Sequence, residues 1–145
     1  MKVLITGGAG FIGSHLCEEL LARNCTVKVL DDLSTGNMSN LVISRDMSGF
    51  EFVHGSILDM PTLENSMQGV DCIFHMAAAV GVKYVLENPV NSLIINSKGT
   101  ENVLNAAVKG GGIKVILASS SEVYGKSTSV PVSYTHLTLP TILLV

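Results

Sequence analysis

The stretch TGGAGFIG, residues 6–13, constrains the fold of this chain more than any other part of it. It places Gly7, Gly10 and Gly13 between a short apolar run, KVLIT (2–6), and a segment running from Phe11 to Arg23. In that segment Phe11, Ile12, His15, Leu16, Leu20 and Leu21 recur at helical spacing. A strand that turns through glycines into a helix leaves the first N–H groups of the helix free, with a partial positive charge behind them. Gly7 permits the tight turn, Gly10 lets a pyrophosphate approach the backbone, and Gly13 lets the helix pack close to the strand. No Gly-Lys-Ser/Thr closes this loop, which excludes a P-loop.

Four more apolar runs follow: TVKVL (26–30), FEFV (50–53), CIFHMA (72–77) and IKVILA (113–118). Asp59 and Pro61 mark the start of a short helix, and Asn88-Pro89 the start of a long one reaching about Lys109. Residues 34–49 read as a polar loop with one helical turn. Strands alternating with helices predict an α/β fold with a parallel sheet wound by right-handed crossovers, and with the glycine loop the expected type is the doubly wound Rossmann sheet, strand order 3-2-1-4-5, incomplete at its fifth strand. Hydrophobic residues make up 47% of the chain and charged residues 14%, as strands buried on both faces require.

Asp31 and Asp32 end the second strand, 18 residues past Gly13 for Asp31, where the adenosine ribose of a dinucleotide would lie. A carboxylate there accepts from ribose hydroxyls and repels a 2′-phosphate. The expected cofactor is therefore NAD rather than NADP, with Asp31 the leading ribose ligand. The net charge of −3, with no basic run, argues against nucleic acid as a partner. No apolar stretch reaches the roughly 18 residues of a membrane span, and MKVLITGGAG turns to glycine too soon for a signal peptide. Cys17, Cys25 and Cys72 have no metal-ligand spacing and read as free thiols of a cytoplasmic protein; no metal site is expected.

Six motifs in order, TGGAGFIGSHL, DDLSTG, GSILD, HMAAAVGV, NSKGTENVL and SSSEVYG, closely resemble the extended short-chain dehydrogenase/reductase family. Within it the chain is similar to the NAD-dependent nucleotide-sugar epimerases and dehydratases, including the UDP-glucuronate decarboxylase type. The resemblance implies that Phe11 and Ile12 flank the pyrophosphate, and that Asp31, Asp32, Ser34, Thr35 and Gly36 surround the ribose. It puts Ser56 and Ile57 against the adenine, although relatives often carry an aspartate at the position of Ser56. Ala77, Ala78 and Ala79 would line the nicotinamide side, and Asn96 would support their loop. His75 and Tyr124 read as packing residues rather than an acid or base.

The same resemblance makes Ser120, Ser121 and Glu122 a catalytic edge, Ser120 taking the place of the serine or threonine that hydrogen-bonds the sugar 4-hydroxyl. Glu122 can be a proton donor or a scaffold. The implied chemistry is transient oxidation at sugar C4: a tyrosine takes the hydroxyl proton, hydride passes to NAD, and a lysine four residues after the tyrosine lowers its pKa. That pair is expected roughly 25 to 30 residues after Ser120, and Tyr134, followed by Thr138, does not fit it. Residues 1–131 are thus expected to be a truncated NAD-binding domain. Residues 132–145 depart from the family; VSYTHL can be read from the codons GTC TCT TAT ACA CAT CT, which resemble a transposon mosaic-end sequencing adapter, so the stretch is expected to be a non-native tail. The complete protein would be a homodimer acting on a nucleotide sugar, and this chain alone would not turn over. The alternative is a stand-alone NAD-binding module without turnover. In the truncated domain the apolar fifth strand, with Ile113, Val115, Ile116 and Leu117, would be a sheet edge prone to association, whereas a monodisperse monomer would support the stand-alone module.

Overall fold

The computed structural model describes residues 1–120. β1 (Lys2–Thr6), β2 (Thr26–Asp31), β3 (Phe50–His54), β4 (Cys72–His75) and β5 (Lys114–Leu117) form one parallel sheet. Its order is β3-β2-β1-β4-β5, the expected one. Side chains alternate across the sheet, so each strand feeds two cores. Val3, Ile5, Val27 and Val29 pack on one face with Cys17, Leu20 and Leu21 of α1 (Phe11–Ala22). Leu4, Leu30 and Ile73 pack on the other with Leu63 of α3 (Met60–Ser66) and Val103 of α6 (Thr100–Lys109). Lys28 points into that second face and is buried, but its ammonium reaches Glu51 of the neighbouring strand at 2.9 Å. Cys17, Cys25 and Cys72 are free thiols. Burial pushes the Cys17 thiol up from its ordinary pKa, against a smaller opposing effect of the neighbouring Ser44 side chain.

The expected loop over residues 34–49 contains a 3₁₀ turn (Met38–Leu41) running into the short helix α2 (Val42–Arg45). The Asn37 side chain caps the 3₁₀ turn by accepting from the Ser39 N–H at 2.9 Å. α3 begins after Asp59, but the Asp59 carboxylate accepts from the Thr62 hydroxyl rather than from a helix N–H.

The long helix after Asn88 differs more. An extra helix, α4 (Val82–Glu87), precedes it, and the run from Pro89 to Lys109 is α5 (Pro89–Leu93), a π-helical segment (Ile94–Gly99) and α6. Asn88 caps nothing with its side chain, which donates to the Tyr84 carbonyl at 3.3 Å. The wider π turn coincides with side chains that bond outside the ladder. Asn96 clamps the Ala79 backbone, and the Thr100 hydroxyl donates to the Asn96 carbonyl at 2.8 Å. Gly99 lies so close to Ile57 that a Cβ would overlap the isoleucine side chain.

Among the described residues β5 is an edge of the sheet. Its Ile116 and Leu117 are 38% and 54% exposed, whereas Ile113 and Val115 pack partly against the core. No helix among the described residues is long and apolar enough to cross a membrane, and none of their His, Cys, Asp and Glu side chains form a group of three or more that could hold a metal.

Candidate active site

All parallel strands end on the same side, so the loops that leave them converge there. Thr6, Asp31, His75 and Leu117 are the last residues of β1, β2, β4 and β5, and the space beyond them is a cleft of about 1170 Å³. Gly7, Gly10 and Gly13 form part of its floor with Phe11 and Ile12. Asp31, Asp32, Ser34, Thr35 and Gly36 line the end beside β2, and Ser56 and Ile57 the wall beyond it. Ala77, Ala78, Ala79 and Asn96 line the opposite end. Ala118, Ser119 and Ser120 continue from β5 along the same wall. Every expected cofactor residue thus faces one space, and Ser120 with them. Ser121 and Glu122, the rest of the expected catalytic edge, lie outside the described residues, as do Tyr124 and Tyr134.

Gly7 has φ +72°, and a Cβ on it would lie 2.6 Å from the Cα and N of Ala77. The glycine therefore fixes how closely the first loop approaches the loop after β4. At Gly13 a Cβ would overlap the Gly7 carbonyl oxygen and lie 2.8 Å from Gly8 Cα, so the helix start is packed directly on the turn. No side chain caps the N-terminus of α1. Its first N–H groups face an open cleft, an arrangement suited to a phosphate.

Asp31 does more than its sequence position suggests. It is 8% exposed, and its two oxygens accept from the Ala9 N–H at 2.9 Å and the Leu33 N–H at 2.8 Å. The carboxylate therefore holds the glycine loop against the end of β2. Each oxygen has a second lone pair, so one acceptor position per oxygen is left for a ligand hydroxyl. Asp32 is used more locally: its carboxylate accepts from the Ser34 N–H at 3.0 Å, and its carbonyl accepts from the His54 ring at 3.2 Å. Ser56 accepts from the Leu58 N–H at 3.3 Å.

The opposite end is held by Asn96, in the supporting place the resemblance implies, and by a polar cluster around buried His75 that sequence reasoning missed. Asn96 accepts from the Ala79 N–H at 2.7 Å and donates to the Ala79 carbonyl at 3.1 Å. His75 is 2% exposed, and both ring nitrogens are bonded, Nδ1 to the Thr6 hydroxyl at 2.7 Å and Nε2 to the Thr100 hydroxyl at 3.0 Å. Burial lowers the His75 pKa from its ordinary value. The residue is packed, as expected, but through its polar atoms. A histidine beside two threonines far apart in sequence leaves no periodic signal that could have revealed this.

Residues 4–141 match the family model described as GDP-mannose 4,6 dehydratase. The chain belongs to this family of NAD-dependent nucleotide-sugar epimerases and dehydratases. It is 43% identical over 128 residues to a UDP-N-acetyl-alpha-D-glucosaminuronate decarboxylase of Bacillus cytotoxicus, covering 88% of this chain and 39% of that protein. A UDP-glucose-4-epimerase from Stenotrophomonas maltophila, solved with bound NAD and formylated UDP-arabinopyranose, superposes with a TM-score of 0.84. That comparison has 34% identity and covers 96% of this chain and 43% of the epimerase. A dTDP-glucose 4,6-dehydratase from Streptomyces venezuelae, solved with NAD, also gives a TM-score of 0.84, at 39% identity over 89% of this chain and 42% of that one. The chain thus spans less than half the length of these relatives.

Proposed function

We propose that this chain is the NAD-binding part of an enzyme that converts nucleotide sugars by transient oxidation at sugar C4, of the epimerase, dehydratase or decarboxylase type. The observation that carries the reading is the single cleft at the carboxyl ends of the strands. There a glycine floor, an uncapped helix start and the Asp31 carboxylate lie at one end, and the Ala77–Ala79 loop at the other. A dinucleotide fits this set of groups. The pyrophosphate would lie on the N–H groups of α1, the ribose hydroxyls would donate to Asp31, and the nicotinamide would lie against Ala77–Ala79. Bound NAD supplies the hydride acceptor. This chain's own part is to bind and orient it, and to present Ser120 to the sugar hydroxyl.

Ser121 and Glu122 complete the catalytic edge in this reading. The complete protein acts as a homodimer in the cytoplasm on a nucleotide sugar, with neither nucleic acid nor membrane as a partner. Residues 132–145 are a non-native tail, a reading that sequencing the gene past codon 131 tests directly. A second reading, an NAD-binding module without turnover, is favoured for the 145-residue chain itself. Tyr84, Tyr124 and Tyr134 are followed four residues later by Asn88, Thr128 and Thr138, so no tyrosine–lysine pair of the required spacing is present.

Calorimetric titration of the chain with NAD and NADP, followed by a turnover assay with UDP-glucose and UDP-glucuronate, tests the proposal. Tighter binding of NAD with no product is expected. Equal affinities would remove Asp31 from the ribose role, and turnover that survives Ser120→Ala and Tyr134→Phe would mean different chemistry.

A further inference from the structure

The buried cluster at the end of β4 has a direction, and the direction identifies a proton position. A carbonyl oxygen only accepts, so the Thr100 hydroxyl proton is committed to the Asn96 carbonyl at 2.8 Å. The Thr100 oxygen can then only accept from His75 Nε2, 3.0 Å away, which puts a proton on Nε2. His75 is buried, no carboxylate among the described residues is bonded to it, and desolvation favours the neutral ring. Nδ1 is then bare and accepts from the Thr6 hydroxyl at 2.7 Å. The Thr6 oxygen in turn faces the Ala77 N–H at 3.4 Å. The hydroxyl directions are thereby fixed along the whole chain from Ala77 through Thr6, His75 and Thr100 to Asn96, whose side chain closes on Ala79.

We propose that His75 is a positioning residue, locked as the neutral Nε2–H tautomer, that ties the glycine-loop end of β1 to the π-helical segment and so fixes the Ala77–Ala79 loop between them. Thr6 immediately precedes Gly7, whose path runs against Ala77, so the same short span is held on one side by backbone contact and on the other by the ring. Its consequence for cofactor binding rests on the reading given under Proposed function; the tautomer itself does not.

The test uses the 145-residue chain, labelled with ¹⁵N-histidine and kept dilute, with His75→Gln to assign the ring signals. In long-range ¹H–¹⁵N spectra Nε2 couples to both ring carbon protons, and Nδ1 strongly to only one. The protonated nitrogen of His75 should be the one coupled to both. Two variants separate hydrogen bonding from packing. Thr100→Val keeps the shape and removes the acceptor, so the Nδ1–H form should appear and NAD affinity should fall about fivefold, the scale of one lost hydrogen bond. Thr100→Ser keeps the hydroxyl and should behave as the wild type in both respects. A protonated Nδ1 or averaged tautomers in the wild type would overturn the proposal. So would a Thr100→Val chain with an unchanged tautomer. If the wild type shows no NAD binding, the functional reading falls, and the spectra still decide the tautomer.

Discussion

Replacing Asp31 by asparagine separates the carboxylate's charge from its shape. In the folded chain the two oxygens accept from Ala9 and Leu33, at 2.9 and 2.8 Å, in a site where the residue is 8% exposed. Asparagine keeps one oxygen and turns the other into an amino group. One of the two backbone N–H groups then faces a donor instead of an acceptor. A hydrogen bond to a charged group contributes about 1.5–3 kcal/mol, and the stranded N–H keeps its desolvation cost. For a domain of this size that corresponds to a fall in Tm of about 5–12 °C. Differential scanning fluorimetry of Asp31→Asn against the wild type reads it, and NADP discrimination measured on the same samples should shrink with the charge. A variant melting within a degree of the wild type, with NAD still preferred, would refute both roles assigned to Asp31.

Three further outcomes follow from the same structure. Gly13→Ala should lower the urea midpoint by an amount equivalent to about 1–3 kcal/mol, since its Cβ meets backbone of the glycine turn that cannot move aside; an unchanged midpoint would mean that α1 packs more loosely than described. His75, with its pKa lowered by burial, binds its proton less readily when folded than when unfolded. Its contribution is therefore complete above the unfolded value near 6.5 and is lost as pH falls below it, by at most about 1.4 kcal/mol per pH unit until the folded pKa is reached. Urea titrations at pH 7.5 and 5.5 should show this loss, and His75→Gln should remove that part of the slope. At the β5 edge, exposed Ile116 should drive concentration-dependent association that Ile116→Lys reduces in sedimentation velocity, whereas a monodisperse wild-type monomer at all concentrations would contradict it.

What could be read from the sequence was local or periodic. Gly7, Gly10 and Gly13 carry their meaning in their spacing, and the strands announce themselves as apolar runs, so a parallel α/β sheet followed from the alternation of elements and its order β3-β2-β1-β4-β5 from the fold that such a glycine loop accompanies. The cleft's lining was legible for the same reason: parallel strands deliver their following loops to one side. What escaped depends on contacts between distant residues. The support of Ala79 by Asn96 was expected, but the π turn at Ile94–Gly99 that accompanies it and the crowding of Gly99 by Ile57 do not show in the helical pattern of that segment. Asp31 was readable as a ligand but not as the brace of the glycine loop, because Ala9 becomes its partner only once β1 and β2 are paired.

In the proposed function a dinucleotide lies across this one cleft. Backbone amide shifts of the ¹⁵N-labelled chain, recorded during addition of NAD, test it most directly. A contiguous set of perturbed amides is expected: Gly7, Gly10 and Gly13 on the floor, Leu33 and Gly36 beside Asp31, and Ala77 to Ala79 at the far end. Shifts confined to one end, or scattered on the helices behind the sheet, would contradict it.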